Sequence, residues 1–139
     1  MNRQRTEQVA LGLVAVFMLP AGLQAALTPR TFFEDFPLGR SWIEQEGGAY
    51  NEHLVRDVGA LILALIIVTV WTLWRHSAAR PVAVAWLVQG TLHLAYHAGY
   101  LDGYNTADRL GLISSLVTVP LLALVALWAG WSSPREPSR

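Results

Sequence analysis

Four apolar runs, separated by polar segments, dominate the chain. They are Val9 to Leu27 (VALGLVAVFMLPAGLQAAL), Val58 to Trp74 (VGALILALIIVTVWTLW), Pro81 to Tyr100 (PVAVAWLVQGTLHLAYHAGY) and about Leu110 to Trp131 (LGLISSLVTVPLLALVALWAGW). Each is close to the ~20 residues with which a helix crosses ~30 Å of hydrocarbon. None shows the period-two alternation of a half-buried strand. Backbone groups in lipid must also be satisfied within their own segment, which favours helices. The pattern predicts an all-α protein: a bundle of four transmembrane helices forming a single membrane domain over residues 1–139. A structured outer loop, 28–57, joins the first two helices.

The first run admits two readings. A basic NRQR start, an apolar core and LQA have the layout of a signal peptide, but the core exceeds the usual ~7–15 residues. An uncleaved first helix is the preferred expectation. Pro20 and Pro120 each lack an amide donor, so both are expected to bend their helices.

Composition agrees with the pattern. Of 139 residues, 53% are hydrophobic and 14% charged, against about 25% charged in typical soluble domains. The net charge is zero, so no basic surface points to nucleic acid. The absence of cysteine excludes disulfides, thiolate metal sites and thiol catalysis. Every basic residue is arginine, which excludes Schiff-base and P-loop lysine chemistry.

Charge also sets an expected orientation. Arg3 and Arg5 precede the first run, Arg75 and Arg80 flank the second connection, and Arg135 and Arg139 lie in the C-terminal tail. The other two loops are acidic on balance, although the first contains Arg30, Arg40 and Arg56. The positive-inside tendency then places both termini and the short second loop in the cytoplasm and the long first loop outside. Trp71, Trp74, Trp128 and Trp131 fall at the cytoplasmic ends and Tyr50, Tyr100 and Tyr104 at the outer ends, as interfacial anchors do.

The outer loop carries two capping-box patterns, Thr31 with Glu34 and Ser41 with Glu44, which predict two short helical turns. Phe32, Phe33, Phe36, Trp42 and Ile43 give it an apolar side, suited to an interfacial anchor or a lid over a site. Asn51 is a good N-cap for the second long helix. Glu52 with Arg56, and His53 with Asp57, stand four apart and can pair on its surface.

Candidate chemistry gathers at the outer end. His93 lies about 18 Å, and His97 about 24 Å, along the third helix from Pro81. Gln89, His93 and His97 form one stripe, with Tyr96 and Tyr100 on an adjoining face. His53, Arg56 and Asp57 begin the second helix at the same level, and Asn105, Thr106 and Asp108 begin the fourth. Ser114, Ser115 and Thr118 continue a polar face. Polar groups in a membrane usually face the bundle interior. His53, Arg56, Asp57, His93, His97 and Asp108 are therefore the candidate cluster, supported by Asn51, Glu52, Gln89, Tyr96 and Tyr100.

Such a cluster could order the bundle through interhelical hydrogen bonds. This gives a structural or partner-binding membrane protein, acting through a second copy or another membrane protein. Alternatively, His93 and His97 with His53, or with Asp57 or Asp108, could bind a divalent transition metal or handle protons, haem or quinone. No Glu follows His93, so the HExxH hydrolase pattern is absent, as are GxSxG, GxGxxG and Walker motifs. Gly99 and Gly103 have GxxxG spacing but straddle a loop.

The stretches FFEDFP, YNEHLVRDVGAL and HLAYHAGYLDGYNTAD resemble those of uncharacterised small four-helix integral membrane proteins of high-GC bacteria. The likeness covers most of the chain after Leu27. More distantly, the size and four-span layout are similar to DoxX-like membrane proteins, some of them associated with oxidoreductases. That layout implies a fold and transfers no residue roles.

Overall fold

A computed structural model describes residues 2–77 and 79–131, apart from the side chain of Trp131. The tail arginines Arg135 and Arg139 lie outside the described residues, as does the Trp131 ring. Among the described residues the structure is entirely helical, with six helices: α1 Arg3–Leu27, α2 Pro29–Asp35, α3 Trp42–Gln45, α4 Glu52–Arg75, α5 Ala79–Ala98 and α6 Thr106–Trp131.

Three of them, α1, α4 and α6, are long and apolar enough to cross a membrane, with mean hydropathies of 2.0, 2.2 and 2.4 over their best windows. The expected third span, α5, has 20 residues but falls outside this group. Its Arg80, Gln89, His93 and His97 dilute its apolar content. Both internal prolines lie within unbroken helices, Pro20 in α1 and Pro120 in α6.

α1 is the central helix and packs on both α4 and α6, while α5 packs chiefly on α6. Small residues make this possible, as is usual where helices associate without a hydrophobic driving force. Gly59 of α4 lies directly on the Ala25–Ala26 backbone of α1, and Gly22 of α1 faces Ile62. Gly12 meets Leu73, so α1 and α4 run antiparallel. Gly90 of α5 likewise receives the Pro120 ring of α6. A small-residue row on α6, Ala123, Ala126 and Ala129, is fully buried. Trp86 is the largest fully buried side chain. Its indole N–H donates to Thr69 Oγ1 at 2.8 Å, and that hydroxyl donates to the Leu65 carbonyl at 2.7 Å. The buried Trp86 indole donor is therefore satisfied.

The outward faces are as apolar as the core. Leu61, Ile67 and Trp74 of α4 and Leu92 of α5 are each about two-thirds exposed or more (71%, 67%, 67% and 67%). Exposed apolar area this extensive is a sign of a lipid-facing surface.

The local predictions around α4 hold in detail. Asn51 Oδ1 accepts the Leu54 amide at 3.1 Å, Arg56 Nε donates to Glu52 at 2.8 Å, and His53 lies 3.4 Å from Asp57. Both capping boxes in the loop are corrected. α2 starts earlier than Thr31, at Pro29, with Thr28 as its N-cap, because proline's fixed φ and missing amide suit the first helical turn. Ser41 does precede α3, but with φ 55° and ψ 36°, and its hydroxyl caps nothing. A capping side chain needs extended backbone at that position to turn back onto the helix.

Candidate functional site

The loop carrying α2 and α3 folds onto the end of the molecule where α5 stops and α6 starts. Two buried acidic side chains hold it there. Asp108, only 5% exposed, begins α6 in a box with Asn105: the Asp108 amide donates to Asn105 Oδ1 at 2.9 Å, and Asn105 Nδ2 donates to Asp108 Oδ2 at 2.6 Å. The other oxygen, Oδ1, accepts from two loop residues, Arg40 Nε at 2.5 Å and Trp42 Nε1 at 2.8 Å. One carboxylate thus joins the helix start to the loop through charge-assisted bonds. The Trp42 ring then covers Gly111, one turn further along α6.

Glu46 is the second tie. It follows α3, and its carboxylate meets His97 Nδ1 in a short hydrogen bond; both side chains are about nine-tenths buried. Tyr104, 4% exposed, donates from its phenol to the Trp42 carbonyl, with Glu46 Oε1 at 3.3 Å. The expectation that Tyr104 anchors the interface is therefore corrected. Its ring is buried, because the bend after α5 turns it under the loop instead of outward.

Burial, and then the neighbouring Glu46 carboxylate, push the Tyr104 phenol well above the ordinary tyrosine value. A group whose pKa is raised on folding contributes stability that is complete below its unfolded value, about 10, and declines as pH rises toward the folded value. Opening of the loop, read as proteolysis normalised to an unstructured substrate at each pH, is thus expected to be unchanged from neutral pH to pH ~10 and to accelerate above it. Tyr104→Phe should abolish that alkaline acceleration, and an unchanged pH profile in this variant would show that another group controls it.

The predicted cluster is divided. His93 and His97 do meet, with ring centroids 4.5 Å apart at 88°. His97 and Asp108 are both buried, but each takes its own loop partner. His53 and Asp57 pair with each other on an exposed face of α4, their side chains 88% and 55% exposed. Arg56, besides its bond to Glu52, donates to the Ala26 carbonyl at 2.7 Å, tying α4 to the end of α1. Tyr96 and Tyr100 stack with each other, centroids 4.8 Å apart, and are about half exposed. Among the described residues no three His, Asp or Glu side chains are gathered as metal ligands. The proposed set His53, His93 and His97 is therefore not assembled: α4 packs chiefly on α1 and little on α5, and His53 stays exposed beside Asp57. Ser114, Ser115 and Thr118 bond back to carbonyls of their own helix at 2.8–3.0 Å.

Sequence reasoning passed over Arg40, Trp42, Glu46 and Tyr104 as site residues. A signal was present for the helix partner. In NTAD, Asn105 precedes Asp108 by the three residues of a capping box, which fixes Asp108 at a helix start. Nothing comparable marks Glu46, whose partner is 51 residues away.

Beneath the loop lies a cavity of about 530 Å³ between α1, α5 and α6, roofed by the turn from Phe36 to Gly39 and by Trp42. Gln89 and His93 line it. Compared with known protein families, curated proteins and solved structures, the chain matches none.

Proposed function

We propose that this chain is a four-span integral protein of a bacterial cell membrane, with α5 as the remaining span. Both termini and the α4–α5 connection are cytoplasmic. Kinship with the small four-helix membrane proteins of high-GC bacteria belongs to the same proposal. Its role is to bind rather than to catalyse: the polar cluster holds the outer loop closed on the bundle and so presents a fixed outer face to a membrane protein partner or a second copy. The observation that carries this reading is that the two buried carboxylates, Asp108 and Glu46, are both engaged by side chains that join the loop to the helices. A metal- or redox-handling site draws support only from the His93–His97 contact, and no third ligand is gathered there among the described residues.

Because the chain has no native cysteine, single cysteines report its topology directly. Gly48→Cys, in the loop, is expected to react with a membrane-impermeant maleimide in intact spheroplasts. Ser77→Cys, between α4 and α5, should react only after lysis. The opposite pattern would reverse the orientation, and reaction of both from outside would remove the multi-span reading.

A further inference from the structure

We propose that the cavity under the loop binds a neutral, long-chain amphiphile with a hydroxyl head group, the hydroxyl donating to Gln89. The inference deepens the binding role by naming a ligand class.

The cavity, about 530 Å³, lies within the ~300–1,000 Å³ typical of small-molecule sites. α4 contributes nothing to its lining; α1, α5 and α6 form the walls of a partly open cavity, with the loop as its roof. Most of the wall is apolar: Phe17 and Met18 of α1 face Leu116 and Val119 of α6. This is space for hydrocarbon.

The polar end is different. Gln89 Oε1 is buried and accepts no hydrogen bond. A buried acceptor left empty costs about 1–3 kcal/mol, and buried polar groups in native structures are rarely left without a partner. What Gln89 lacks is a donor. Ser115 nearby cannot readily supply one, since its hydroxyl hydrogen goes to the Leu112 carbonyl. Its oxygen instead adds a second acceptor. His93 also lines this end and makes no hydrogen bond among the described residues. The arrangement asks for a ligand O–H.

Charge narrows the class further. Among the described residues no arginine lines the cavity, and its one acidic side chain is the exposed Asp35. A carboxylate or phosphate head would find no cation there. A hydroxyl needs none. The roof suits entry from lipid: Leu38, at the tip of the turn that covers the cavity, is fully exposed.

The test uses the full chain in lipid nanodiscs and a diazirine-bearing hexadecanol as probe, with cross-linked residues mapped by mass spectrometry. Saturable labelling is expected on α1 near Phe17, on α5 near Gln89 and on the loop near Trp42. Unlabelled hexadecanol should compete at least ~10-fold better than its methyl ether, which lacks the donor; that ratio corresponds to about 1.4 kcal/mol, within the cost of an unpaired buried acceptor. Gln89→Leu keeps the side-chain volume and removes the acceptor, so it should fold at least as stably while losing the alcohol-over-ether preference. Ala21→Phe, which places a ring in the cavity, should lose the labelling altogether.

Unsaturable labelling spread along lipid-facing residues such as Leu61 and Ile67 would overturn the proposal. So would an alcohol-over-ether preference that survives in Gln89→Leu, or a palmitate or hexadecylamine that competes better than hexadecanol. The cysteine topology assay reads orientation independently of the probe, so failure of one reading is distinguishable from failure of the other.

Discussion

Gly59→Leu is expected to separate α1 from α4 and to lower stability by about 3 kcal/mol, the upper end of overpacking costs. Even a methyl group at this position would fall against the amide and carbonyl atoms of Ala25 and Ala26. Backbone cannot rotate aside as a side chain can, so the helices must move apart. The move would also break the bond from Arg56 to the Ala26 carbonyl, 2.7 Å in the native packing. Gly48→Ala is the control. Nothing lies within 4 Å of the added atom there, and the expected change is within about ±0.5 kcal/mol. Denaturant or thermal unfolding in mild detergent, followed by circular dichroism, measures both. Equal stability of the two variants would mean that α1 and α4 do not touch at Gly59.

Glu46→Ala is expected to release the loop while leaving the helices in place. Removing one partner of a buried hydrogen bond costs up to about 3 kcal/mol, because the other is left buried without compensation. Here the cost falls on a short connection, which can open without unfolding α4, α5 or α6. A shift of that size raises the opening equilibrium by up to ~100-fold. Trypsin cleavage after Arg40, which is half-exposed and tied to Asp108, should accelerate accordingly, while helical content stays constant. His97→Ala should do the same from the other side. The double variant should be no worse than either single one, since both remove one interaction. Strictly additive effects would show that Glu46 and His97 act independently.

These two effects belong to different levels of the structure. Gly59 lies in an apolar run that reads as a helix at sight, yet nothing in that run says which glycine meets another backbone. Glu46 lies in a loop whose sequence promised two capped turns. Helical turns formed there, but α2 began at Pro29 and Ser41 took a left-handed conformation. That turn redirects the chain after Gly39 and sets α3 over the start of α6. The local rule for capping was outweighed by the tertiary pull of Asp108 on Arg40 and Trp42.

The histidines show the same division. Their i, i+4 spacing placed His93 beside His97, and the rings do meet. The same spacing placed His53 beside Asp57, and they pair. Joining the two pairs required a statement about how α4 and α5 pack, and there the expected metal set came apart. His97 found Glu46 instead, and Gln89 was left facing a cavity with its oxygen unpaired.

The sequence by itself determined what depends on the helical repeat and on chain composition. That includes the apolar segments, the Asn51 cap, the Glu52–Arg56 and His53–Asp57 pairs, and the absence of thiol and lysine chemistry. These follow from relations within four residues, which helix geometry fixes wherever the helix sits. Only the tertiary structure decided the Asp108–Arg40 bond across 68 residues, the Glu46–His97 bond across 51, the burial of Tyr104 and the cavity they roof. A hydrophobic pattern states which residues share a face, not which face meets which. On a chain apolar around nearly the whole girth of its helices, that choice rests on where small residues let backbones approach and where the few polar groups find partners.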